Sequence, residues 1–465
     1  MSVTIINCPE TVLKEVNAAP VQLEDKVFVE RKAALDKCIK EDGLDFAILY
    51  GDREHFANIE YFTKYDCRFE EGLFIESSDG KSWLVVGNEG GSYSDIVPFD
   101  KKTLYYGNFS LQGQPHNPPK TMSGIFREVG ISEQSKVGLA GYKYHSDGME
   151  EDLLPGFDVP YYIVKSLEKV CGESNISNFT SRLTSLPQGV RMTIRNANEI
   201  AFIEYQSVSA AIVMKRMIAG LEENISELEV SRRGGADLRP SCAFANVLSG
   251  EKSVYLGLKS PDDFSIVKAG GPMTLSYSTR GSMCARSGMA IYDESQLSAQ
   301  QKERFEDLYK SYFQAIANWY STIDIGVKGK ELYKVVNKEI GGGRFNFSLN
   351  PGHSIGMDEW VNSPVWADSE IEIHDGTHIQ CDMIASVGTP LMNSICEDTV
   401  VIAGEGLRNE LKTEYPECYA RIEANRAQMQ EVLNIELAPS VLPMSSLNGI
   451  MFPYMLNKEK IFGQE

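Results

Sequence analysis

Between residues 27 and 42, Val27, Val29, Ala33, Leu35 and Ile39 form one stripe, with Arg31, Lys32, Asp36 and Lys37 opposite. That spacing predicts an amphipathic helix, stopped at Gly43. Residues 46–50 follow as a continuous apolar run ending at Gly51-Asp52. They predict a buried strand, as do residues 73–75, 83–86 and 136–140. The turn Ser78-Asp79-Gly80 joins two of them. Helix and strand in this rhythm imply an α/β domain at the N-terminal end. No glycine-rich phosphate loop opens a helix, so a nucleotide role has no support.

The later pattern is helical over long stretches. Ile200, Ile203, Val208, Ala211, Met214 and Ile218 keep helical spacing, behind a cap at Asn196 or Asn198. Residues 225–232 predict a short helix. Phe305, Leu308, Tyr312, Ile316 and Trp319 give residues 297–323 one apolar face. Residues 330–340 predict a further helix, ended by Gly341-Gly342-Gly343, and residues 421–433 a closing one. Strand-like runs lie between, so this half is α+β. Residues 437–456 then form an apolar arm broken by prolines. Water disfavours such a segment lying free, so it should pack along its domain or a partner, where it can cover a pocket. The expected division is 1–188, 189–434 and an arm at 435–465.

The chain has 465 residues and a net charge of −20. An acidic surface disfavours phosphate backbones, so nucleic acid is not expected as a partner. No run approaches the ~18 apolar residues of a membrane helix. The first residues show neither the basic region nor the apolar core of a signal peptide. Nine cysteines are scattered without a Cys-x-x-Cys pair. They read as reduced thiols of a cytoplasmic protein.

The candidate chemistry centres on Asn350-Pro351-Gly352-His353-Ser354-Ile355-Gly356-Met357-Asp358-Glu359-Trp360. Glycines on both sides let the backbone aim one imidazole at a cavity. Asp382 ends an alternating run, and Glu397 opens the valine-rich run Cys396-Glu397-Asp398-Thr399-Val400-Val401-Ile402. A histidine and two acids on successive strands suit acid–base work or a metal; the spacing alone equally fits a partly buried histidine with incidental acids. His374 and His378 flank Gly376 and read as solvent-facing; His145 opens the turn-like Ser146-Asp147-Gly148.

The Gly-His-x-Ile-Gly stretch resembles the signature of the creatinase, aminopeptidase P and methionine aminopeptidase superfamily. The resemblance implies a pita-bread domain behind a creatinase-like N-terminal domain, and a homodimer. His353, Asp382 and Glu397 fall on a metal-binding histidine and two acidic positions of that family. Asn58-Ile59-Glu60-Tyr61-Phe62-Thr63, then Asp66-Cys67-Arg68-Phe69-Glu70-Glu71-Gly72, resembles its N-terminal loop, which can reach a partner's site. Arg68 is then a candidate clamp for a substrate carboxylate, or else a surface partner of Glu70 or Glu71.

The departures matter as much. Two aspartates of the metal-dependent members fall on Ser276 and Ser287, or on Arg286 if the alignment slips. Two histidines fall near Tyr255 and on Trp360. Hydroxyls are poor ligands for hard cations, and three remaining ligands do not hold two bridged ions. The expectation is therefore no metal and no cofactor. Within the family, creatinase is the precedent for hydrolysis without metal. The implied activity is a metal-independent hydrolase of a small carboxylate-bearing C–N substrate. His353 activates water or shuttles a proton, Asp382 or Glu397 orients it, and Trp360 and Trp366 wall the pocket. Ser276, Ser287, Tyr255 and Arg68 are candidate contacts for that small molecule or short peptide. A noncatalytic binding protein and an Xaa-Pro peptidase with an unusual metal site are the alternatives.

Overall fold

The computed structural model describes residues 2–116, 119–145, 156–347 and 349–465. The turn expected at 146–148 lies outside them. Two compact units form, Leu23–Met192 and Met1–Gln22 with Thr193–Glu465.

The first unit is a six-stranded sheet in the order Lys102–Tyr105, Ser82–Val86, Gly72–Ser77, Phe46–Gly51, Val137–Ala140, Ile176–Asn178. Its three middle strands are antiparallel neighbours, and the flanking pairs run parallel. Phe46–Gly51 is buried at every position, as its unbroken apolar run predicts. The helix expected at 27–42 forms at Asp25–Glu41. Helices Met122–Glu128 and Tyr161–Cys171 send Ile125, Phe126, Ile163 and Leu167 into the core with Ile48, Leu73, Ile75 and Leu139.

The second unit is a mixed α+β body. Its main sheet runs Asn346–Phe347, Ile384–Val387, Met392–Ile402, Ser282–Met289, Pro272–Thr279, Asn246–Ser249. Thr377–Cys381 pairs with both the 392–402 strand and His353–Ser354. The 23-residue helix Ala197–Ala219 is capped by Asn196, whose side chain accepts from the Glu199 amide. The 24-residue helix Ala299–Thr322 starts on a capping box between Ser298 and Gln301. It buries Phe305, Leu308, Tyr312, Ile316 and Trp319. The closing helix begins at Pro416, earlier than its apolar face suggests, because proline suits the first helical turn.

The C-terminal arm packs on its own unit. Val441–Pro443 pairs with the 392–402 strand, and Lys460–Gln464 pairs with Val3–Asn7. Both chain ends therefore share one small sheet. Leu447, Ile450, Met451, Phe452, Met455 and Leu456 are buried. The arm does not cover the cleft described next: no residue beyond Glu397 lines it.

Candidate active site

Three neighbouring strands aim the acidic cluster. Glu397 lies in the 392–402 strand opposite Ala285, and Ala285 lies opposite Ser276. Asn246 continues that row on the next strand. Side chains alternate across a sheet, so Glu397 and Asp398 point to opposite faces. His353 pairs with Gln380, and Asp382 follows the 377–381 strand directly.

Gly352 explains the local turn. Its φ is +124°, and a β-carbon there would stand 3.1 Å from the Gln380 carbonyl oxygen and 3.3 Å from Trp319 Nε1. Trp319 Nε1 donates to the Pro351 carbonyl at 2.8 Å, and Ser363 Oγ donates to that of Gly352 at 2.8 Å. This locked turn delivers His353 with no exposed surface.

Around His353 Nε2 stand Glu359 Oε1 at 3.2 Å, Asp382 Oδ2 at 3.7 Å and Glu397 Oε1 at 3.9 Å. Trp360 stacks on the imidazole with ring centres 4.1 Å apart and planes 13° apart. Gln380 Nε2 donates to Glu397 Oε1 at 3.2 Å and to the Met283 carbonyl at 3.1 Å. Burial pushes Asp382 up to about 7. Burial, then the charges of Asp382 and Asp358, push Glu359 up to about 7. Burial first, then Asp382 and Glu359, hold Glu397 well above the usual carboxylate range. Burial lowers His353 to about 4, so its ring is neutral at pH 7.

A cleft of about 990 Å³ opens beside this cluster. Glu359, Trp360, Asp382, Glu397 and Ser276 line it, and His353 stands behind Trp360 without reaching the wall.

No family model and no curated protein matches this sequence. Solved structures do. The Xaa-Pro dipeptidase from Bacillus anthracis aligns with TM-score 0.60 and 14% identity, over 81% of this chain and 96% of that one. The prolidase from Pyrococcus horikoshii aligns with TM-score 0.60 and 15% identity, over 80% and 95%. The X-Pro aminopeptidase from Thermotoga maritima gives 0.59 and 15%, over 80% and 95%. The chain has the pita-bread fold of these structures.

On the pita-bread frame the other expected residues separate. Ser276 is on the wall, and its Oγ accepts from the Asn246 amide at 3.0 Å. Ser287 is buried off the wall, its Oγ 2.7 Å from Thr274 Oγ1. Arg286 faces away from the cleft. Its NH2 meets Asp398 at 2.8 and 3.0 Å, and its other donors hold carbonyls of Glu397 and Ile450. Tyr255 stands 82% exposed on the rim helix Gly250–Leu256. Trp366 is also exposed and lines no part of the cleft.

Arg68 belongs to the first unit. Neither expected glutamate holds it: Nε donates to Asp66 at 3.0 Å, and the guanidinium lies over Phe56. Glu70 instead accepts the Glu89 and Gly90 amides, and Glu71 accepts Tyr50 Oη. His374 and His378 are both half-buried, and His378 Nε2 is turned inward, contrary to the solvent-facing expectation.

Glu359 is the residue that pattern reading passes over. It lies inside the Gly-His stretch, in a loop with no strand alternation to aim it. The loop turns back at Gly356, whose amide donates to Asp358. Gln380 was equally hidden, although it is two residues before Asp382 and so on the same face.

The two ions that the fold family implies do not fit these residues. Ser276, where the sequence reading sets the first aspartate, is already engaged with a backbone amide, and Ser287, set at the second, is bonded to Thr274. Neutral hydroxyls offer no charge to a pair of hard cations. One cation is a different matter. Ligand atoms of His353, Glu359 and Glu397 lie within 4.8 Å of one another.

Proposed function

We propose that the chain is a metal-independent hydrolase of a C–N bond in a small molecule or short peptide. The observation that carries this is the cluster of Glu359, Asp382 and Glu397 around one neutral imidazole. Two buried carboxyls and a half-buried one this close do not all ionise, so protons stay in the cluster at neutral pH. One carboxyl then acts as acid while another, ionised, acts as base. The base takes a proton from water as its oxygen attacks the carbon. The acid gives a proton to the departing nitrogen, so the amine leaves neutral. His353, 3.2 Å from Glu359, relays protons from behind the wall and holds Trp360 by stacking. Trp360, Ser276 and Tyr255 contact substrate from the wall and rim. The structural neighbours include prolidases and an Xaa-Pro dipeptidase, in keeping with hydrolysis of a C–N bond.

The test is a turnover screen of guanidino acids, N-methyl amino acids and Xaa-Pro dipeptides, run with chelator. On the substrate found, Glu397→Gln should lower kcat roughly 100- to 10,000-fold, the span of general acid–base catalysis. Unchanged kcat, or no turnover of any compound, sinks the reading; binding without turnover makes the protein a noncatalytic member of the fold. A single bound cation is the second reading, favoured by the closeness of His353, Glu359 and Glu397. Stoichiometric manganese, zinc or cobalt in purified protein would establish it.

We propose, by the same likeness, a homodimer, which light scattering checks. Among the described residues no helix is long and apolar enough to cross a membrane. The nine cysteines are unpaired, which fits the proposed cytoplasmic setting.

A further inference from the structure

The wall of the cleft has an order that names a ligand. Along the antiparallel pair 384–387 and 392–395, Ile384 faces Ile395 and Ser386 faces Asn393. Asp382 and Glu397 precede Ile384 and follow Ile395 by two residues, so they sit one row further along the same face. An acidic row thus gives way to an apolar one about 7 Å on, two residues of strand rise. Ser386 and Asn393 make the next row polar, and Val254, Leu258, Val387 and Leu391 line the cleft around it. Leu258 and Phe244 stand 77% and 54% exposed beside the cleft.

The acidic end wants donors. Asp382 is 5% exposed, and its Oδ1 has no hydrogen-bond partner. Asn246 Oδ1, on the row of Ser276, and Asn393 Oδ1, one row beyond the isoleucines, also have none. Among the described residues on the wall, the one basic side chain is Lys252, on the exposed rim helix. Three carboxyls and two amide oxygens therefore face a space that no protein cation fills. Buried acceptors left unmet are costly, so a ligand rich in N–H donors suits them. The volume, about 990 Å³, is at the top of the range for drug-sized ligands, so a guanidino acid of a few heavy atoms would leave most of it to water.

We propose that the cleft takes an amphiphilic cation: a primary ammonium or guanidinium among Glu359, Asp382 and Glu397, with an apolar chain along Ile384 and Ile395. As a substrate class this rests on the hydrolytic reading above; as a binding preference it stands apart from turnover. The substrate is then larger and less polar than the creatinase resemblance implies.

Titration calorimetry on the full chain, with chelator present, tests it using n-butylamine, n-hexylamine, n-octylamine and octanoate. Affinity should climb along the amines towards the limit of about fourfold per methylene that full burial gives. More than tenfold from butylamine to octylamine, with octanoate at least tenfold weaker than octylamine, supports the proposal. Glu359→Gln should weaken octylamine at least tenfold. If that variant does not fold, Ile384→Ser should flatten the chain-length series instead. Equal affinity for butylamine and octylamine, octanoate binding as well as octylamine, or no heat with any amine overturns it. Amine binding without turnover of the amides of long-chain α-amino acids, which keep the free ammonium, would sink the hydrolytic reading alone. Turnover of a small guanidino acid without octylamine binding would sink this inference alone.

Discussion

Single residues set the charge state of the cleft. Glu359 has its proton affinity raised by burial and like charge, to about 7 from an ordinary 4.5. The folded state then holds a proton that the unfolded state releases. Its contribution to stability is present below pH 4.5 and is lost as the pH rises towards 7. Glu359→Gln removes that loss. The variant should melt higher than wild type at pH 7.5, and the difference should vanish near pH 4. A constant difference across that range would show that Glu359 does not titrate there. Arg286 is a second case. It and Asp398 are each 1% exposed and paired at 2.8 Å. Arg286→Met leaves Asp398 buried without its cation, which costs about 3–5 kcal/mol by denaturant unfolding. It should also disturb Glu397, whose carbonyl Arg286 holds at 3.0 Å.

At the scale of elements, the site depends on one turn and three strand pairings. Gly352→Ala puts a β-carbon against Gln380 and Trp319 in the left-handed region of φ. The expected cost is about 1–3 kcal/mol, with loss of binding in the cleft. A variant that melts and binds like wild type would remove the turn from the account. The element reading from sequence held where periodicity was long. The helices at Asp25–Glu41, Ala197–Ala219 and Ala299–Thr322 follow from apolar stripes and caps. The His353 strand is two residues long, too short for alternation to show. Glu359 sits outside any strand, so its direction comes from the packing of its loop.

For the whole molecule, chain order and spatial order part company. Residues 1–22 join the unit formed by 193–465. Val3–Asn7 pairs with Lys460–Gln464, and Val12 is fully buried in that unit's core. A fragment 23–192 has its own continuous sheet and core, so it should melt cooperatively when expressed alone. Removing residues 1–22 from the full chain should lower the melting point of the other unit and expose Ile461 and Phe462. An unchanged melting curve after that truncation would show that the terminal pairing adds nothing.

The sequence by itself determined the fold class, because long apolar periodicities and capped helices are local signals. It also singled out His353, Asp382 and Glu397, although their spacing alone fits a buried histidine with incidental acids equally well and only the family resemblance set the three together. Only the tertiary structure decided that Glu359 joins them, that Arg286 turns away and that Ser287 is off the wall. Those outcomes depend on which strand lies beside which and on how a loop folds back. Contacts between residues far apart in the chain leave no local periodicity to read.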